Sequence, residues 1–196
     1  MIIGITGGVG CGKSTVMEIF EREYQANILI ADNIGHEALE KGTSVHEKIR
    51  EQFGDEILLS DGQINRNQLA GIIYQDDTKR ELLNSIVHPY VIDEIKKKLK
   101  QWENEALVVI ETAIMFETGC HKLCDEIWAV ITENEIRIQR LVESRGYTRE
   151  KAESIINKQL SEEELIQKSD KVIYNNGTTQ DLFVQMQELL VTNKKM

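Results

Sequence analysis

Proline is almost missing from this 196-residue chain, with Pro89 the only one, and no low-complexity segment or internal repeat interrupts it. Cysteine is scarce as well. The count of three is odd and argues against a disulfide framework, which fits a reducing compartment. No stretch approaches the roughly 18 apolar residues that a membrane span needs. Met1 leads straight into the first strand candidate, so the expectation is no signal peptide and a cytoplasmic location. Positive charge is in deficit: 23 Lys and Arg face 33 Asp and Glu, for a formal charge of −10. That balance disfavours a nucleic-acid partner, whereas a small phosphorylated ligand needs only a local cationic pocket. The length suits one sizeable core with room for a small appended subdomain; oligomeric state stays open, with a monomer favoured.

What is present is concentrated near the start. Gly7-Gly8-Val9-Gly10-Cys11-Gly12-Lys13-Ser14-Thr15 matches G-x-x-x-x-G-K-[ST] throughout, the phosphate-binding P-loop. Before it runs a short β-branched stretch, Met1-Ile2-Ile3-Gly4-Ile5-Thr6, that reads as a buried strand. After it, apolar residues recur at helical spacing. Strand, glycine loop and helix together turn backbone N–H groups and a helix N-terminus toward an anion. Gly8, Gly10, Cys11, Gly12, Lys13, Ser14 and Thr15 are thus the candidate nucleotide contacts. Lys13 would reach the β and γ phosphates and the Ser14 hydroxyl would ligate magnesium.

Five short apolar runs read as strands: Ile2–Thr6, 28–31, 107–110, 127–131 and Lys171–Tyr174. Helical patterns separate them, which predicts an α/β fold with a parallel sheet covered on both faces. Residues 33–104 carry only helical runs, around 37–39, 45–53, 68–74, 79–86 and 91–102, with Asp61-Gly62 marking a tight turn. This block reads as a helical insertion, a platform for a second substrate. A second helical stretch covers 132–168, with capping boxes at Thr132-Glu133-Asn134-Glu135 and Ser161-Glu162-Glu163-Glu164. The segment 178–191 closes the chain as an amphipathic helix.

P-loops serve switches, motors and kinases, so a second feature must choose among them. Asp32 follows the second strand at the carboxyl edge of the sheet, where open α/β sheets bind ligands. It suits the base that accepts the proton of an acceptor hydroxyl, and it can contact magnesium; equally, it can serve only as a helix N-cap. A GTPase switch is the rival class. Asp32-Asn33-Ile34-Gly35 fits D-x-x-G, and Asn157-Lys158-Gln159-Leu160 begins like N-K-x-D. The second motif lacks the Asp that reads guanine and falls in a helical pattern.

Asp32, Gly62-Gln63-Ile64-Asn65-Arg66, Ile86-Val87-His88-Pro89, Ile114-Met115-Phe116-Glu117 and Val172-Ile173-Tyr174-Asn175-Asn176-Gly177 occur in this order behind the P-loop. In these motifs the chain resembles the dephospho-CoA kinase family, from the P-loop to the last strand. The resemblance implies transfer of the ATP γ-phosphate to the ribose 3′-hydroxyl of dephospho-coenzyme A. It also implies a nucleoside-monophosphate-kinase-like, three-layer P-loop fold with a five-stranded parallel sheet. Residues 1–32, 105–132 and 169–196 would form the nucleotide-binding core, 33–104 the coenzyme-binding domain and 133–168 the lid. By the same resemblance Asp32 is the catalytic base and a magnesium contact. Arg66, His88, Phe116 and Glu117 lie on the coenzyme side, Arg140 closes over the ATP phosphates, and Asn175 lies by the adenine. Read from residue type alone, Arg66 and His88 also suit helix starts (His88 precedes Pro89), Phe116 a core position and Arg140 a surface. Another small-molecule or nucleoside kinase of this fold is the alternative.

The chain departs from the family pattern at several positions. Ile30 replaces the first acid of Asp-Ala-Asp, His36 and Ile155 stand where arginine is common, and Ala113 replaces a proline. Ser144 takes a usual arginine position, with Arg145 one place later, about 100° round a helix. Glu111 adds a carboxylate at the end of strand three, either as a magnesium contact through water or as a cap. Cys120-His121-Lys122-Leu123-Cys124 has no partner pair at metal spacing and is discounted as a zinc site. Cys11, at a helix N-terminus, is expected to have a lowered thiol pKa and to be open to oxidation.

Overall fold

The computed structural model describes residues 1–192. The β-branched run before the P-loop forms β1 (Ile2–Thr6), and the loop feeds α1 (Lys13–Tyr24). The remaining strands are β2 (Asn27–Ile30), β3 (Val108–Glu111), β4 (Glu126–Ile131) and β5 (Lys171–Tyr174). They make one five-stranded parallel sheet in the order β2-β3-β1-β4-β5. β1 pairs with β3 in the register Ile3↔Val109 and with β4 in the register Ile5↔Trp128. The strands are near-continuous apolar runs because both faces of the sheet are covered. On one face Ile3, Ile5, Val109, Trp128, Val130 and Ile173 pack with Val16 and Phe20 of α1 and with Leu182 and Met186 of α9 (Thr179–Thr192). Ala129 and Ile131, alternating along β4 with the first set, pack on Leu165 of α8 (Glu162–Lys168).

The chain divides into two compact units, Met1–Leu29 with the chain from Asn104 onward, and Ile30–Glu103. The second unit contains α2 (Ala31–Ala38), α3 (Ser44–Phe53), α4 (Arg66–Gln75) and α5 (Asp77–Gln101). Thr43, Asn65 and Asp76 cap the last three by accepting from the N–H of His46, Gln68 and Lys79. Ala38, Val45, Ile49, Phe53, Ile57, Ile64 and Leu69 form its core. Asp61-Gly62 is the expected turn: Gly62, at φ 82°, donates to the Leu59 carbonyl, and Leu58 bridges Ile64 in antiparallel fashion.

Two local expectations are corrected. The runs 79–86 and 91–102 are one helix, α5, that passes through Pro89, so no helix begins beside His88. Proline removes a single N–H, whereas Leu82, Leu83, Ile86, Val87 and Tyr90 keep one face on the core across the break, and that burial outweighs the missing bond. The box at Thr132 does not form. α6 (Asn134–Arg145) has Glu133 as its uncapped N-cap. The Thr132 hydroxyl faces the Cys11 and Asn175 carbonyls, Glu135 pairs with Arg149, and Asn176 Oδ1 accepts from the Glu133 N–H. The box at Ser161 is present in full and starts α8. Between them α7 (Arg149–Ile156) packs on α6 through Ile138, Leu141, Ala152 and Ile156. Among the described residues no helix is long and apolar enough to cross a membrane.

Candidate active site

The chain leaves β1 toward β2 on one side of the sheet and leaves β3 toward β4 on the other. The loops at the carboxyl ends of neighbouring β1 and β3 therefore diverge and open a crevice, the ligand site of an open α/β sheet. The P-loop follows β1 there, and Glu111 ends β3. Gly7, at φ 149°, passes so close to β4 that a Cβ would lie 2.5 Å from the Val130 carbonyl oxygen. Gly12, at φ 86°, is the N-cap of α1, and a Cβ on it would collide with the Asn175 side-chain amide. Both need glycine.

The loop is held by its carbonyls. Val9 O accepts from Arg137 Nε at 3.0 Å and Gly10 O from Arg140 Nη1 at 3.4 Å. Cys11 O accepts from Asn175 Nδ2 at 2.9 Å and from Thr132 Oγ1 at 3.0 Å. In a trans peptide the C=O and the next N–H point in opposite directions. Tying these three carbonyls to α6 and the β5 loop turns the N–H groups of Gly10, Cys11 and Gly12 away from those elements; the Cys11 N–H closes a turn on Gly8 O at 3.4 Å, and those of Gly10 and Gly12 are arranged as in an anion nest. Lys13 lies back over the loop, donating to Gly7 O at 3.0 Å and Gly8 O at 3.4 Å, with Glu111 Oε1 at 3.5 Å. Glu111 is 8% exposed, so this pair sits largely out of water. Ser14 and Thr15 stand in the first turn of α1, with Ser14 exposed. The Ser14 hydroxyl and the Glu111 carboxylate are hard oxygen donors, a type that suits magnesium.

The other predicted residues fall as follows. Arg140 lies beside the loop, with Nη2 also donating to Asn175 O at 3.1 Å. Asn175 is buried and its side-chain amide donates to Cys11 O, which ties it to the loop. Phe116 is half-buried against Ala129, Ile131 and Leu165, its ring 5.5 Å from that of His121; Glu117 is exposed. In the Ile30–Glu103 unit, Asp32 stands in the first turn of α2 with its side chain exposed. It is not the N-cap, which is Ile30. Arg66 is the first residue of α4 and its Nη2 donates to the His36 carbonyl at 3.0 Å. His88 is half-buried in mid-helix.

Cys11 overturns the expectation of a reactive thiol. It is 1% exposed within the sheet core, and burial pushes its pKa up more strongly than Lys13 and Arg137 pull it down. Burial likewise raises Cys120 to about 11 and Cys124 to about 12. Arg137, Gln159 and Thr132 were not singled out from the sequence as site residues. Their spacings of 128, 150 and 121 residues from their loop partners carry no local signal. Gln159, within the fragment that began like a guanine-reading motif, accepts from the Val9 N–H at 2.8 Å. Asp32 and Gly35, the rest of that rival pattern, lie inside α2.

The chain matches the family model for dephospho-CoA kinase over residues 1–181. It is 40% identical to the dephospho-CoA kinase of Fusobacterium nucleatum over 192 residues, 98% of each chain. Identity to the Carboxydothermus hydrogenoformans dephospho-CoA kinase is 37%, over 96% of this chain and 92% of that one. Among solved structures, a Thermus thermophilus protein superposes with TM-score 0.84 at 29% identity, over 98% and 97% of the two chains. The Campylobacter jejuni dephospho-CoA kinase superposes with TM-score 0.69 at 25% identity, over 98% of each. A shikimate kinase from Acinetobacter baumannii shares the fold at TM-score 0.59 and 17% identity, covering 100% and 95%. A complete P-loop at the sheet's switch point and a family match across 181 residues lead to one conclusion: the chain belongs to the dephospho-CoA kinase family.

Proposed function

We propose that this chain transfers the γ-phosphate of ATP to the ribose 3′-hydroxyl of dephospho-coenzyme A, giving coenzyme A and ADP. The observation that carries this reading is the family match over residues 1–181, on a chain whose P-loop is tied down as a phosphate nest. Phosphoryl transfer asks the protein for alignment, charge neutralisation and a base. Lys13 and the loop amides hold the triphosphate. Asp32 takes the proton of the 3′-hydroxyl, whose oxygen bonds to the γ-phosphorus as the bond to the ADP oxygen breaks. Arg140 exchanges its loop carbonyls for the charge that develops on the transferring group. Ser14 and Asp32 would hold magnesium, which would supply positive charge against the β and γ phosphates.

Residues 33–104 form the coenzyme-binding side, with Arg66 and His88, joined by Phe116 and Glu117 from beyond β3. Residues 133–168 serve as the lid, and 1–32, 105–132 and 169–196 as the nucleotide-binding core, with 193–196 lying outside the described residues. Closure of the lid excludes water and suppresses ATP hydrolysis. The enzyme works in the cytoplasm, as a monomer, on small molecules. The test is ADP release from ATP and magnesium with a panel of acceptors. Stimulation by dephospho-coenzyme A alone is expected; stimulation by shikimate, nucleosides or nucleoside monophosphates instead would overturn the assignment.

A further inference from the structure

Val9 is gripped at both ends of its backbone. Its N–H donates to Gln159 Oε1 at 2.8 Å, its carbonyl accepts from Arg137 Nε at 3.0 Å, and Arg137 Nη2 donates to the same Gln159 oxygen at 3.1 Å. These three bonds close a ring that runs from α6, through the loop, to the connection between α7 and α8. The Arg137 guanidinium is steadied by Asn134 Oδ1 at 3.2 Å and lies so near Gly8 that a Cβ there would overlap it. The Val9 side chain packs on Ile138, Leu141, Ala152 and Ile156, the contact that joins α6 to α7. One residue of the phosphate loop thus reads the seating of both helices, through its backbone and its side chain.

We propose that Arg137 and Gln159 are positioning residues, a clamp that sets the conformation of the nucleotide loop and makes ATP affinity depend on the docking of α6 and α7. Neither residue meets the phosphates. By drawing the Val9 carbonyl outward, Arg137 turns the Gly10 N–H the other way, and by holding the Val9 N–H, Gln159 fixes the preceding Gly8–Val9 peptide, so that two successive planes of the loop are set together. Arginine suits the task because its planar fork serves Val9 O and Gln159 Oε1 at once, which an ammonium cannot do in the same geometry. The proposal rests on reading the loop as the ATP site.

The test uses the full chain with Arg137→Ala, Arg137→Lys, Gln159→Ala, Gln159→Glu and the double alanine variant. KM for each substrate and kcat are measured, and ADP binding is followed by calorimetry. Loss of a charge-assisted hydrogen bond predicts that Arg137→Ala and Gln159→Ala each raise the KM for ATP and the Kd for ADP about tenfold or more. The KM for dephospho-coenzyme A and kcat stay near wild type. The double variant falls short of the product of the singles because the residues act as one unit. Gln159→Glu, which keeps the acceptor oxygen, stays near wild type; Arg137→Lys does not. Unchanged ATP KM and ADP Kd in the alanine variants, or a loss of kcat with KM intact, would overturn the clamp. Where Arg137→Ala is too unstable to assay, Gln159→Leu, of similar size, carries the same prediction. Failure of the kinase reading is separable: the wild-type chain would then show no dephospho-coenzyme A stimulation, while the ADP titration still decides the clamp.

Discussion

The Cys11 carbonyl offers a quantitative test of how the loop is anchored. Cys11, Thr132 and Asn175 are 1%, 3% and 6% exposed, and the carbonyl accepts from Asn175 Nδ2 at 2.9 Å and Thr132 Oγ1 at 3.0 Å. The Thr132 hydroxyl has one hydrogen and a second acceptor in reach, Asn175 O at 3.2 Å, which Arg140 Nη2 also serves. Asn175→Ala therefore leaves no carbonyl orphaned, because Thr132 still covers Cys11 O and Arg140 still covers Asn175 O. The loss is one ordinary buried hydrogen bond, about 1 kcal/mol, or roughly fivefold in ADP affinity. Melting should fall by about 2–4 °C for a chain of this size. Thr132→Val leaves Cys11 O on Asn175 and is expected to do the same. Together they strand a buried carbonyl, which adds a further penalty of about 1–3 kcal/mol. The double-mutant cycle should thus show a coupling of at least about 1 kcal/mol, read by ADP titration and thermal melts. Strictly additive losses would refute the shared-acceptor account.

Further outcomes follow from the same geometry. Asp32→Asn should keep ATP affinity while lowering kcat by about 10²–10⁴-fold, the usual contribution of a general base; near-normal turnover would remove Asp32 from that role. Because burial keeps the Cys11 thiol protonated, alkylation of the native chain at neutral pH should be slow and limited by opening; labelling within minutes would contradict this. Cys120, raised from 9.0 to about 11, holds its proton in the folded chain at pH values where the unfolded chain releases it. Its contribution is whole below pH 9 and is lost as pH climbs toward 11, by about 1.4 kcal/mol per pH unit. Cys120→Ala should flatten that alkaline slope in denaturant titrations, and an unchanged slope would refute it. Pro89→Ala should restore a helix bond in α5 and raise stability by about 1 kcal/mol, after the offsetting gain in unfolded-chain entropy; a lower melting temperature would contradict this.

What could be read from the sequence was what local chemistry decides. The five strands follow from short β-branched runs and shift by only a residue or so at their ends; β2, for example, stops at Ile30 because Ala31 already begins a helix. The P-loop was legible because its glycines and Lys13 act within nine residues. Errors arose where a distant partner outbid a local one. Thr132 has the sequence of a cap, but its hydroxyl meets the loop carbonyl of Cys11. Cys11 has the position of an activated thiol, but the sheet core buries it. Pro89 has the character of a helix breaker, but Leu82, Leu83, Ile86 and Val87 before it and Tyr90 after it pack on one core and hold α5 together. Arg137 and Gln159 carried no sequence signal at all, since their roles exist only once α6 and the segment after α7 are folded against Val9.

The most direct measurement is the fate of the γ-phosphate. ATP labelled at that position, incubated with the chain, magnesium and dephospho-coenzyme A, should yield coenzyme A carrying the label on its ribose 3′-oxygen, one for each ADP formed. Label recovered only as inorganic phosphate, or on another hydroxyl of the acceptor, would contradict the assignment.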